Sequence, residues 1–275
     1  MRGGPEKSPV WRAAESAFGT VFVSFGRVAE GNSSQNYHAE AEDGRQFFVK
    51  LATARAVARA IARQGAADSP LVPRVAFSGA TGELDRWRIC AFEWMEGGES
   101  IPPERLSPAL IEALFSGYSR LSEALARVPA DSIPVPPGLD EAVKRAGEPA
   151  RPIHGDFHYR NFFFRDGALF ACFDLEKMRM GFPAEDLLRV FVHALERTRF
   201  WNLGKIRAIE RNFAETVRRS PWPQEAWLVA IDLYEAHKAH RRAGKARFRL
   251  FLEIENFLRS PLYRKMRAIV AKCRR

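Results

Sequence analysis

The chain has 275 residues, 46% of them hydrophobic, enough to fill one large domain or two lobes around a cleft. No apolar run approaches the roughly 20 residues that span a bilayer, and "MRGGPEKSPVWRAAESAF" has no signal-like apolar core, so a cytoplasmic protein without a transmembrane segment is expected. The net charge of +10 is concentrated near one end, since from His237 to Arg275 thirteen Lys and Arg stand against Glu253 and Glu255; such a surface attracts phosphates, anionic lipids or nucleic acid, or serves simply as the solvated face of terminal helices.

Residues 19–51 alternate in the manner of three antiparallel strands, with Asp43-Gly44 as a hairpin turn. Ala52 to Gln64, Ala-rich and without Gly or Pro, predicts a helix with Val57 and Ile61 on one face and a basic stripe of Arg55, Arg59 and Arg63 on another. The stretch "RVAFSGATGELDRWRICAFEWMEGG" adds two strands and ends at Gly97-Gly98, read as a hinge. A small lobe over residues 1–96 and a larger lobe over 97–275 are expected. In the larger lobe Ile111, Leu114, Phe115, Tyr118, Leu121 and Leu125 recur at helical spacing. After the Pro-rich "PADSIPVPPG" come a strand "RPI", a loop, a hairpin around Arg165-Asp166-Gly167, and from Glu185 a helical remainder. The class is α+β. Cys90, Cys172 and Cys273 are odd in number and widely spaced, which fits unpaired thiols.

The polar breaks of "IHGDFHYRNFFFRDGALFACFDLEK", residues 153–177, carry the chemistry. Asp156 and Asn161 lie five apart in the loop after "RPI", and Asp174 follows at the end of the hairpin, which is expected to return it beside them. Phosphoryl transfer uses such a set: carboxylate and amide oxygens hold a Mg²⁺ on the triphosphate while another carboxylate orients the attacking hydroxyl. Asp174 and Asn161 are the candidate metal ligands and Asp156 the candidate base. Lys50 alternates with Phe47, Val49 and Leu51 and so points to the opposite face, a cation for the phosphates. The loop "EGNSSQN" can cover phosphates with backbone N–H groups and the hydroxyls of Ser33 and Ser34. Taken singly, each Asp or Asn could be a turn residue. His154 and His158, four apart in a loop, are read as holding that loop rather than binding zinc. Glu176 is either an auxiliary metal ligand or a surface acid, and Asp186 either a helix cap or a brace for the loop.

These pieces resemble the aminoglycoside phosphotransferase and choline kinase family. The likeness rests on "HGDFHYRN" (154–161), "FDLE" (173–176), "FPAEDLLR" (182–189) and "FFVK" (47–50), in the family's order across residues 20 to about 190. It implies a bilobal protein-kinase-like fold, ATP and Mg²⁺ as cofactors, and a hinge strand where backbone groups at Glu93, Trp94 and Met95 receive adenine. In that family the strand Lys pairs with a Glu of the small-lobe helix, yet no acid occurs from Leu51 through Ala67; Asp68 or Gln64 is the expected substitute. The resemblance implies a kinase acting on a small-molecule alcohol, a sugar or amino alcohol. The basic charge favours a neutral or anionic saccharide, or a substrate at an anionic membrane surface, over a polycationic antibiotic. A lipopolysaccharide-core or other glycolipid sugar kinase is one alternative, and a catalytically weak nucleotide- or anion-binding module another; a nucleic-acid surface ranks last.

Overall fold

The computed structural model describes residues 7–30, 34–77, 82–199, 201–243 and 249–273. The chain forms two compact units, Met1–Gly98 with Ala171–Glu176, and Glu99–Phe170 with Lys177–Arg275. The hairpin segment thus hands its last residues to the first unit and then returns to the second.

In the first unit a helix the sequence reading did not assign, α1 (Pro9–Phe18), precedes the sheet. Ser8 caps it by accepting the Trp11 N–H, and Gly19 ends it at φ 61°, a left-handed conformation that glycine adopts without strain. The sheet contains β1 (Phe22–Glu30), β2 (Gln35–Ala41), β3 (Gln46–Thr53), β4 (Gly82–Leu84) and β5 (Trp87–Glu93) in the order β1-β2-β3-β5-β4. Every pairing is antiparallel. Alternation sorts β3 onto two faces: Phe47, Val49 and Leu51 pack with Trp11, Phe18 and Phe22, while Ala52 packs with Val57, Ala60, Cys90 and Phe92. Lys50 is opposite Cys90 in the register, on this second side, and is buried. The helix α2 (Ala54–Ala67) begins after Thr53, which caps the Ala56 N–H, and stops at Asp68 with φ 35°. It starts two residues later and runs three residues further than the sequence predicts.

The second unit is mainly helical: α3 (Pro108–Leu125), α4 (Leu139–Ala146), α5 (Pro183–Arg197), α6 (Leu203–Arg219), α7 (Gln224–Ala243) and α8 (Arg249–Lys272). Between α4 and α5 lie β6 (Arg151–Ile153) paired antiparallel with β9 (Arg179–Gly181), and the hairpin β7 (Phe162–Arg165) and β8 (Ala168–Cys172). Buried residues occupy nearly every position of α5 from Pro183 to Val192, which marks it as the central helix. Of the basic tail, most side chains lie outside the described residues; within them, Arg267 pairs with Asp232 (2.7 Å) and Glu235 (2.6 Å), and Lys265 with Glu210 (2.5 Å). Part of that charge therefore fastens α8 to α6 and α7. The three cysteines are free and buried.

A β-carbon added at Gly117 on α3 would stand 2.3 Å from the Leu169 side chain, nearer than any real contact. Gly117→Ala should therefore lower stability by about 1–3 kcal/mol through overpacking, read as a drop in melting temperature with the secondary structure retained.

Candidate active site

In the first unit Lys50 is the centre of a charge cluster. Its Nζ lies 2.8 Å from Asp174 Oδ1 and 3.4 Å from Glu176 Oε1. The expected substitutes are not used in this way: Gln64 donates to the Pro73 carbonyl at 3.4 Å, and Asp68 sits at the end of α2 in a left-handed conformation. The acids come from the 174–176 segment instead. What α2 supplies is a cation, Arg63, whose Nη1 donates to the carbonyls of Leu175 (3.2 Å) and Glu176 (2.7 Å). Arg63 is only 3% exposed, so the predicted basic stripe turns inward at its last member. Asp174 takes φ 72°, unusual for a residue with a side chain.

The electrostatics follow from this geometry. Burial disfavours the Lys50 ammonium, but Asp174 and Glu176 outweigh it and raise its pKa. Burial, and next the neighbouring Asp174, raise the Glu176 carboxyl. Two carboxylates share one ammonium, and Glu176 Oε2 is buried without a hydrogen-bond partner among the described residues. Such an orphaned oxygen beside Asp174 suits a hard cation. Burial pushes the Cys90 thiol, across the strand from Lys50, up to about 12, which keeps it unreactive. At the end of β5 the Glu93 N–H donates to the Arg74 carbonyl (2.9 Å) and the Trp94 N–H to that of Gln46 (3.1 Å), fixing the segment that continues into Met95. Ser33 lies outside the described residues; Ser34 immediately precedes β2.

In the second unit the loop 154–161 is held from below by Asp186 of α5. Its carboxylate accepts the His154 N–H and the Tyr118 hydroxyl at 2.7 Å each and the Gly155 N–H at 2.8 Å. Asp186 is thus a brace, and the helix cap role falls to Glu185, which accepts the Phe182 N–H. Gly155 has φ 74°, and a β-carbon there would lie 2.2 Å from the Lys177 carbonyl, so the tight loop requires glycine. Both histidines hold the loop as expected: His154 Nδ1 accepts the Asp156 N–H (3.2 Å) and His158 Nδ1 that of Arg160 (3.3 Å). The Asn161 amide donates to the Asp156 carbonyl at 2.9 Å, which leaves its own oxygen as the remaining acceptor.

Asp156 is 3% exposed and ion-paired with both Lys177 and Arg189. Burial alone would raise its pKa, but Arg189 and then Lys177 hold it well below the usual carboxylate range. His158 Nε2 stands 3.7 Å from Asp156 Oδ1, and its ring stacks on His193 with centroids 4.1 Å apart. Arg189, Lys177 and His193 were not assigned a role from the sequence, and Arg63 was read only as part of a basic stripe. Arg189 was legible, because it lies three residues after Asp186 on the same face of α5; Lys177 carries no local signal, since its partner Asp156 lies 21 positions earlier.

Lys50, Asp174 and Glu176 thus lie in the first unit, and Asp156, Lys177 and Arg189 in the second. The sequence matches the profile of the phosphotransferase enzyme family over residues 24–145 and 123–222. Among solved structures, the fold is similar to the aminoglycoside phosphotransferase APH(4)-Ia in a ternary complex with ADP and hygromycin B, at 13% identity, 96% of this chain, 98% of that chain and a TM-score of 0.56. It is similar to the macrolide 2'-phosphotransferase MphH from Brachybacterium faecium at 14% identity, 98% of each chain and a TM-score of 0.57. The amicoumacin kinase hAmiN, in complex with AMP-PNP, Ca²⁺ and Ami, matches at 11% identity, 96% of this chain, 92% of that chain and a TM-score of 0.55. Comparison with curated proteins finds no match. The fold is α+β and protein-kinase-like. The chain belongs to the phosphotransferase enzyme family, and is a kinase with a hydroxyl acceptor. No helix of the described residues is long and apolar enough to cross a membrane.

Removing the brace should be costly: Asp186→Ala deletes the acceptor of three hydrogen bonds, and we expect a loss of about 3 kcal/mol or more, seen in denaturant titration, with turnover lost before the fold is. A pH effect follows from the histidine pair. Burial and the adjoining His193 push His158 down to about 3, and burial and Arg197 push His193 down to about 4. Folded, both are neutral, whereas in the unfolded chain they protonate near about pH 6.5. Their contribution to stability is therefore present above that pH and is lost as pH falls toward the folded values. Glu176 and Glu185, raised by burial, act in the opposite sense, so the effect is read by difference. Between pH 7 and 5 the wild type should lose about 2–4 °C more in melting temperature than His193→Gln.

Proposed function

We propose that this chain is an ATP- and Mg²⁺-dependent small-molecule kinase that transfers the γ-phosphoryl group to a hydroxyl of a sugar or amino alcohol. The observation that carries the reading is the Lys50 cluster, a buried ammonium 2.8 Å from Asp174 with the orphaned Glu176 oxygen beside it. Lys50 holds the nucleotide phosphates, as a loop containing Ser33 and Ser34 covers them. The Glu93 N–H is already committed, so its carbonyl and the Met95 N–H are the groups assigned to adenine. Asp174 and Asn161, with Glu176 as an auxiliary ligand, are the oxygens that would hold Mg²⁺. When bound, the ion supplies neutralisation of charge on the phosphate oxygens.

Asp156 acts on the acceptor. A carboxylate held so far below its ordinary pKa is a weak base. It therefore orients the attacking hydroxyl and takes its proton late, which the loose transition state of phosphoryl transfer permits. The acceptor oxygen bonds to the γ-phosphorus as the bond to the β–γ bridging oxygen breaks, ADP departs, and the proton passes from Asp156 to solvent. The balance of charge around Asp156, two cations Lys177 and Arg189 against one carboxylate, favours a neutral or anionic saccharide over a polycation. A glycolipid sugar is the alternative acceptor. The protein acts in the cytoplasm in this reading.

A second reading, a nucleotide- or anion-binding module with weak catalysis, is favoured by the saturation of Asp156 with two cations. Phosphate incorporation into a panel of sugars, amino alcohols and glycolipid cores, with Mg²⁺ or with chelator, separates the two. For the kinase, Asp156→Asn should cut turnover by about 10²–10⁴-fold with nucleotide binding retained, and Lys50→Met should weaken nucleotide binding. Undiminished turnover in Asp156→Asn overturns the assignment of the base. Nucleotide binding without transfer to any alcohol supports the module.

A further inference from the structure

The turn from α5 to α6 carries large apolar side chains in the open. Trp201 is 61% exposed and Leu203 58%. Arg197, Arg199 and Arg207, all exposed, accompany them. The Arg199 guanidinium lies over the Trp201 ring, 5.3 Å from its centre. Lys205 pairs with Glu104 at 2.6 Å, and Glu210, an acid of this stretch, is taken by Lys265. Among the described residues no carboxylate lies within ion-pair distance of Arg197, Arg199 or Arg207. The turn therefore presents an exposed apolar pair with Arg199 over Trp201, and Arg197 and Arg207 exposed on the adjoining ends of α5 and α6, where Glu196 is the acid neighbouring Arg197.

Three kinds of partner could cover such a pair, and charge decides among them. A second copy of the chain would bring arginine against arginine. A nucleic acid would neutralise the arginines but leave Leu203 without an apolar partner. An anionic lipid surface satisfies both demands, since Trp and Leu enter the head-group region while each nearby cation gains attraction from the negative surface. We propose that the α5–α6 turn docks on an anionic lipid surface through Trp201 and Leu203, with Arg197, Arg199 and Arg207 on the head groups.

The placement bears on the acceptor. Helix α5 carries Arg189, which pairs with Asp156, and ends at Arg197. Eight residues separate the two, about 12 Å along a helix. A docked turn keeps the Asp156 loop within about that span of the turn along α5, within reach of a hydroxyl displayed on head groups. This last step rests on the role given to Asp156 above; the docking itself does not.

Flotation of the full-length protein with phosphatidylcholine vesicles, with and without phosphatidylglycerol, tests it in the absence of nucleotide. We expect flotation only with the anionic vesicles, lost at high salt. Binding should weaken about fivefold for each of Arg197→Gln, Arg199→Gln and Arg207→Gln, at roughly 1 kcal/mol per cation, and further in Trp201→Ala/Leu203→Ala. Equal flotation of that double variant overturns the proposal, as does no flotation at low salt. So does a shift of the wild type to higher mass that the double variant abolishes, which marks a second copy, or preferential binding to duplex DNA that the double variant retains. Asp156→Asn should float like the wild type, and turnover on soluble alcohols should be unchanged in Trp201→Ala/Leu203→Ala, so failure of the docking and failure of the kinase reading are read separately.

Discussion

A carboxylate with 3% of its surface exposed stays ionised only if cations stand against it, and Asp156 has two, Lys177 and Arg189. Neither is on the loop that carries Asp156. Arg189 comes from the central helix α5 and Lys177 from just ahead of β9, so the state of that one carboxylate depends on three stretches of chain arriving together. The same helix bears Asp186, which takes three donors from the loop and from α3. One face of α5 thus fixes both where the loop lies and which charge it can bear.

The four residues from Asp174 to Lys177 serve both units. Asp174 and Glu176 meet Lys50 in the first, and Lys177 meets Asp156 in the second. Chain connectivity therefore links the ammonium of the first unit to the carboxylate of the second through a handful of peptide bonds. Arg63 holds the segment on the first unit's side by its main-chain carbonyls.

Much of this was legible in the residues, because periodicity and polar spacing are local signals. The alternation of Phe47, Val49 and Leu51 against Lys50 gave the two faces of β3, and the helical spacing from Ile111 to Leu125 gave α3. Helix α1 escaped notice since Pro9 and a short apolar pattern resemble an irregular terminus, although Ser8 before Pro9 is a capping signal. The partner of Lys50 could not be found by searching α2, because the acids lie some 124 positions away in sequence and only tertiary contact brings them to it. Arg63 misled for a related reason: fourfold spacing says that residues share a face, not whether a neighbour covers that face.

Arg63 grips amide oxygens, not side chains. A main-chain acceptor is present whatever amino acid occupies positions 175 and 176, so this tether can persist while those side chains drift. A lysine–glutamate pair spanning helix and strand would instead require two codons to change in concert. The arginine frees α2 from carrying an acid, at the expense of committing one basic position in its last turn to an interior role.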